Sequence, residues 1–116
     1  MSSMIEVGRS SEFQNGTMKE MLVEGHEILV ARVEDDYYAT DNRCTHMGGK
    51  LSLGKLEGTV VTCPRHGSQF ELKDGEVVRW LKGSGLVSVL GKALKSPRPL
   101  SRYKVQVVDD KILVEV

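Results

Sequence analysis

The chain has 116 residues, about the length of one domain, and 40% of them are hydrophobic, enough for one compact core. Sixteen Lys and Arg balance sixteen Asp and Glu, so the net charge gives no electrostatic case for nucleic acid. No apolar run approaches the ~18 residues of a transmembrane helix, and the start, Met1 to Glu6, lacks the basic-then-apolar form of a signal peptide. The expectation is a soluble cytoplasmic protein, a single domain over 1–116, with no membrane span.

In chain order, short apolar and β-branched runs alternate with turn residues. MKEMLV (18–23) precedes Glu24-Gly25-His26, EILVARV (27–33) precedes Glu34-Asp35-Asp36, and residues 37–40 lead to Asp41-Asn42. TVVTC (59–63), QFEL (69–72), the turn Lys73-Asp74-Gly75 and EVV (76–78) follow. The end, YKVQVV (103–108), Asp109-Asp110 and KILVEV (111–116), reads as a hairpin. Many short strands at close spacing predict an all-β protein, an antiparallel sandwich or small barrel. One segment differs. Within residues 80–99, Leu86, Val89, Leu90, Ala93 and Leu94 recur at helical spacing, Lys92 and Lys95 stand near the end, and Pro97 and Pro99 stop the run. A short helical insert is expected at about 86–95.

Both cysteines and two of the three histidines lie between residues 44 and 66. The order is Cys44-x-His46, sixteen residues, then Cys63-x-x-His66. Paired Cys and His at short spacing in a cytosolic chain point to metal. Two chemistries use two thiolates and two imidazoles: tetrahedral zinc, and a two-iron, two-sulfide cluster with the thiolates on one iron and the imidazoles on the other. A zinc finger groups its cysteines together and its histidines together. Here each segment supplies one of each, so two loops (within about 42–72) can pinch a rhombic cluster. Cys44 and Cys63 then reach the inner iron, and His46 and His66 the outer one. Gly48, Gly49 and Gly67 permit close backbone approach, and Pro64 stiffens the second loop. His26 has no cysteine beside it and reads as a surface residue in a turn.

The chain resembles the Rieske iron–sulfur proteins. The resemblance rests on Cys44, His46, Cys63 and His66, on the words CTH and CPRHGSQF, on the turn after FEL, and on the Pro-Leu-x-x-Tyr-x-Val run from Pro99 to Val105. It implies a Rieske-like fold with a two-loop cluster-binding subdomain and a [2Fe-2S] cofactor on those four ligands. It also implies a one-electron carrier rather than a catalyst, receiving electrons from a flavin-dependent reductase and delivering them to a terminal oxygenase or other redox acceptor. The small Rieske-like subunit of nitrite reductases is the alternative, and a structural Cys2His2 zinc domain a remote one. Respiratory relatives carry two further cysteines, where this chain has Gly49 and Arg65, and a tyrosine where it has Phe70. The resemblance therefore implies no disulfide between the loops and one hydrogen bond fewer to a ligand sulfur, while Ser68 is retained as a donor to sulfide.

Charge is uneven along the chain. Residues 1–41 hold nine acids against Arg9, Lys19 and Arg32, whereas residues 77–108 hold seven bases and no acid. Arg43, Lys50 and Arg65 flank the four ligands and are candidate docking residues for an acidic partner.

Histidine ligation carries a pH signature. Two ferric ions, two sulfides and two thiolates sum to zero with neutral imidazoles, so the potential belongs in the range of about −150 to +300 mV, and without the disulfide and the extra hydrogen bond in its lower part. Ferric iron lowers the pKa of the imidazole N–H not bound to metal more than ferrous iron does. Reduction then takes up a proton at alkaline pH. The midpoint potential, measured by voltammetry, should be flat near neutrality and fall as pH rises above the oxidised-state pKa values. A potential independent of pH far into the alkaline range would contradict histidine ligation.

Overall fold

A computed structural model of the chain describes residues 4–45, 49–64, 67–79 and 99–116. The described residues form eleven strands in three antiparallel sheets: β1 (Met4–Arg9), β2 (Thr17–Val23), β3 (His26–Val33), β4 (Asp36–Asp41), β5 (Lys55–Glu57), β6 (Val60–Thr62), β7 (Gln69–Glu71), β8 (Val77–Arg79), β9 (Arg102–Tyr103), β10 (Val105–Val108) and β11 (Lys111–Glu115). The sheets run in the orders β1-β11-β10, β2-β3-β4-β9 and β5-β6-β7-β8. Two 3-10 turns, Ser10–Glu12 and Leu51–Leu53, complete the described elements. The all-β antiparallel expectation is borne out. The helical insert expected at 86–95 lies outside the described residues.

The β2-β3-β4-β9 sheet is the middle layer, and β3 explains why. Successive strand residues point to opposite faces. Ile28 and Val30 pack with Phe13, Val23, Ala39, Ile112 and Val114 in one core. Leu29 and Ala31 pack with Cys44, Leu51, Val61, Cys63, Phe70, Leu72 and Leu100 in another. All four β3 residues are 0% exposed. A strand covered on both faces needs no polar alternation, which is why ILVA reads as an unbroken apolar run. One core joins the middle sheet to the terminal strands, and the other joins it to the sheet that carries the cysteines.

The run read as one strand over 103–108 is divided at Lys104 between β9, which pairs with β4, and β10, which pairs with β11, and two further strands escaped the sequence reading. β1 pairs with β11, more than a hundred residues away, and its register shifts between Glu6 and Gly8. That irregularity breaks the period-2 signal. β5 has three residues and is specified by pairing Lys55–Glu57 with Val60–Thr62, not by its own composition. His26 opens β3 rather than sitting in a turn. It pairs with Val23, is exposed as expected, and its ring meets Tyr103 edge-on at 6.2 Å.

The β2–β3 hairpin turns on Glu24 (φ 48°) and Gly25 (φ 82°). Left-handed backbone suits the right-handed twist of a two-residue hairpin, but it crowds the Cβ of glutamate. Glu24→Asn, which tolerates that region, should raise stability by a few tenths to about 1 kcal/mol. Chemical denaturation checks this. An unchanged or lower midpoint would mean that the turn stores no strain.

Candidate metal centre

The two cysteine segments are built alike. The N–H of Cys44 donates to the carbonyl of Gly49 at 2.8 Å, and the N–H of Cys63 donates to that of Ser68 at 2.7 Å. Each bond spans five residues and closes a tip of four, 45–48 in the first hairpin and 64–67 in the second. His46 and His66 belong to these tips by sequence. With Arg65 they lie outside the described residues.

Below each tip is a stem. In the first, Arg43 bridges to Lys50, and the N–H of Leu51 donates to the carbonyl of Asn42 at 2.9 Å. In the second, Thr62 pairs with Gln69, and the Gln69 amide donates to the Thr62 hydroxyl at 3.2 Å. Gly67 has φ +75°, a conformation that glycine enters without strain. Its N–H returns to the carbonyl of Cys63 at 3.1 Å. β6 and β7 thus deliver the second hairpin, while β4 and the 3-10 turn at Leu51–Leu53 deliver the first.

Both thiols face inward. Cys44 is 4% and Cys63 2% exposed, in one apolar cluster with Phe70 and Leu51. They form no disulfide with each other. Ser68 is fully buried in the second stem and Phe70 fully buried on β7. The structure therefore brings Cys44, Cys63, Ser68 and Phe70 to one region. Among the described residues no group of three or more ligand-type side chains is assembled.

The hairpins also touch through Gly54. A Cβ there would fall far inside contact distance of the Thr62 carbonyl oxygen, and 3.1 Å from Cδ of Pro64. Thr62 and Pro64 bracket Cys63, so the exit of the first hairpin presses directly on the root of the second.

Charge at the first stem is not what chain order suggests. Arg43 Nε meets Glu27 Oε2 at 2.8 Å, with a second contact at 3.3 Å, and Lys50 meets Glu20 Oε1 at 3.1 Å. Both acids belong to the acidic 1–41 segment, which β2 and β3 carry alongside the loop. The hydrogen bond to Glu27 raises the Arg43 pKa. Hydrogen bonds from Asn42 and then Lys50 hold the Glu20 carboxyl below its ordinary range. The candidate docking residues Arg43 and Lys50 thus each have an acidic partner, because antiparallel packing sets acids from distant strands beside them. Further round, Tyr103 donates to Asp41 at 2.5 Å, and burial, then this carboxylate, push its phenol up to about 12.

The model of the Rieske [2Fe-2S] domain matches residues 3–89, most of the chain. The chain belongs to the Rieske [2Fe-2S] domain family. Its cofactor is a [2Fe-2S] cluster, which sets zinc aside. It is 38% identical to the ferredoxin component of the naphthalene 1,2-dioxygenase system of Pseudomonas putida over 74 residues, 64% of this chain and 71% of that protein. It is also similar to a chain in the complex of reduced oxygenase and oxidized ferredoxin in carbazole 1,9a-dioxygenase: 30% identity, TM-score 0.77, covering 96% of this chain and 91% of that one. The ferredoxin of carbazole 1,9a-dioxygenase from Nocardioides aromaticivorans IC177 shares the fold, with TM-score 0.80, 24% identity and coverage of 97% and 96%. The chain is an electron-transfer protein rather than a catalyst.

The donor set fits a Rieske cluster. A buried thiolate is costly without a cation beside it, and two buried thiols at the roots of matched hairpins suit one inner iron. Sequence reasoning missed Asn42 and Gly54. For Gly54 the only signal is a glycine after the second leucine of LSLG.

Gly54→Ala should cost about 1–3 kcal/mol by overpacking and lower the cluster content of purified protein. Iron and sulfide analysis with a thermal melt checks both. Wild-type cluster content would mean that the hairpins tolerate being pushed apart.

Proposed function

We propose that Cys44 and Cys63 bind the inner iron of the cluster, that His46 and His66 bind the outer iron, and that the chain carries single electrons from a flavin-dependent reductase to a terminal oxygenase. The observation that supports this most is the matched pair of hairpins, each with a buried cysteine at its root and one histidine in its four-residue tip. The likeness to ferredoxin components of dioxygenase systems supports the partners. With the imidazoles on the outer iron, as proposed, the electron would leave through that iron's ligands. Ser68 serves as a donor to a bridging sulfide, and Phe70 leaves its sulfur one donor short. Arg43 and Lys50, each with an acid partner, contribute little net charge to docking, which leaves Arg65 as the basic residue of the tips. No helix among the described residues is long and apolar enough to cross a membrane. We place the carrier in the cytoplasm, where thiols persist as ligands rather than as a disulfide.

Cys44→Ser or Cys63→Ser should prevent assembly, and His46→Ala or His66→Ala should abolish the reduced EPR spectrum with average g below 2. Each should also lower stability, because the metal bridges two otherwise unstapled hairpins. Stopped-flow reduction of wild type by a flavin reductase, then reoxidation by an oxygenase, tests the carrier role. A ligand variant that kept the wild-type spectrum would overturn the assignment.

A further inference from the structure

Asn42 is fully buried and lies two residues before Cys44. Every polar group it has is engaged. Its side-chain amide donates to Glu20 Oε2 at 2.8 Å and to Ser52 Oγ at 2.9 Å, and its side-chain carbonyl accepts from the N–H of Ser52 at 2.8 Å. Its own N–H donates to the carbonyl of Glu27 at 3.0 Å, and its carbonyl accepts from the N–H of Leu51. The entering strand of the first hairpin is thereby tied to the leaving strand, and both are tied to β2 and β3. A buried amide satisfied on all sides specifies one geometry, because breaking any bond strands a desolvated partner.

The same amide fixes a charge. Glu20 has one carboxylate oxygen on Asn42 and the other on Lys50. Lys50 adjoins Gly49, whose carbonyl accepts the N–H of Cys44. A carboxylate and an ammonium are thus held at the stem, a few residues from a proposed ligand, with side chains only about one-third exposed (35% and 37%). A fixed negative charge opposes addition of an electron nearby and a fixed positive charge favours it, both screened by salt.

We propose that Asn42 is a positioning residue for the cluster: it holds the first hairpin at its spacing and pins the Glu20–Lys50 pair, so that the midpoint potential depends on all three. This rests on the ligand reading above. An amide that only filled space would leave the potential unchanged.

The test uses holo protein at low ionic strength, with potential by voltammetry, cluster loss by visible absorbance, and the reduced EPR spectrum as control. Glu20→Gln keeps an acceptor for Asn42 and should raise the potential. Lys50→Gln should lower it, and the double variant should return toward wild type. Asn42→Ala should lose its cluster several-fold faster and shrink the shift caused by Glu20→Gln, a coupling that a double-mutant cycle measures. If Asn42→Ala does not fold, the opposed signs of Glu20→Gln and Lys50→Gln carry the test. Potentials that ignore both charges, or a Glu20→Gln shift undiminished beside Asn42→Ala, would overturn the proposal. Absence of a Rieske spectrum in the wild type would instead overturn the ligand assignment.

Discussion

The backbone bond from each cysteine N–H to the carbonyl five residues on is the constraint around which the rest is arranged. It decides how many residues each tip holds, and the thiol at its root is buried. A metal site demands several donors in one small volume, and two independent loops would pay a large entropic cost to meet there. Closing each loop at its cysteine leaves four residues to order instead of a long connection. The partner bonds differ in detail. The first stem relies on a buried amide and the second on a two-strand ladder, yet both end in the same closure.

Rigidity below the hairpins comes from the middle sheet. β3 is covered on both faces, so Leu29 and Ala31 can support the cysteines while Ile28 and Val30 hold the terminal strands. The thiols are part of a continuous core rather than of an appended loop. Gly54 completes the arrangement by letting one hairpin rest on the backbone of the other. Sites supported by packed neighbours hold their geometry better than sites on isolated loops, and a cofactor that gains and loses one electron benefits from a shell that does not have to reorganise.

Electrostatics at the site is local and paired. Counted along the chain, acids gather at the start and bases at the end. Folded, Glu20 and Glu27 stand beside Lys50 and Arg43. Exposed pairs of this kind add little to stability. Their consequence is for the field near the cluster and for what the surface shows a partner: neutral pairs at the first stem rather than a row of cations.

The all-β class and, through the family resemblance, the [2Fe-2S] cofactor and the electron-carrier role were legible in the sequence by itself. The Cys-x-His and Cys-x-x-His words that carry the resemblance are local, so they are written in neighbouring residues. Turn residues around hairpins such as Glu24-Gly25 are local too, so β2, β3, β4, β10 and β11 could be placed to within a residue or two. Only the tertiary structure decided the rest. β1 exists as a strand because β11 offers it an edge, and β5 because β6 does. The partners of Arg43 and Lys50, the closure of Asn42 over Ser52 and Glu20, and the need for glycine at 54 all arise where segments remote in sequence meet. Hydrogen bonds and steric contacts act over a few ångströms of space, and chain order does not report which residues come within them.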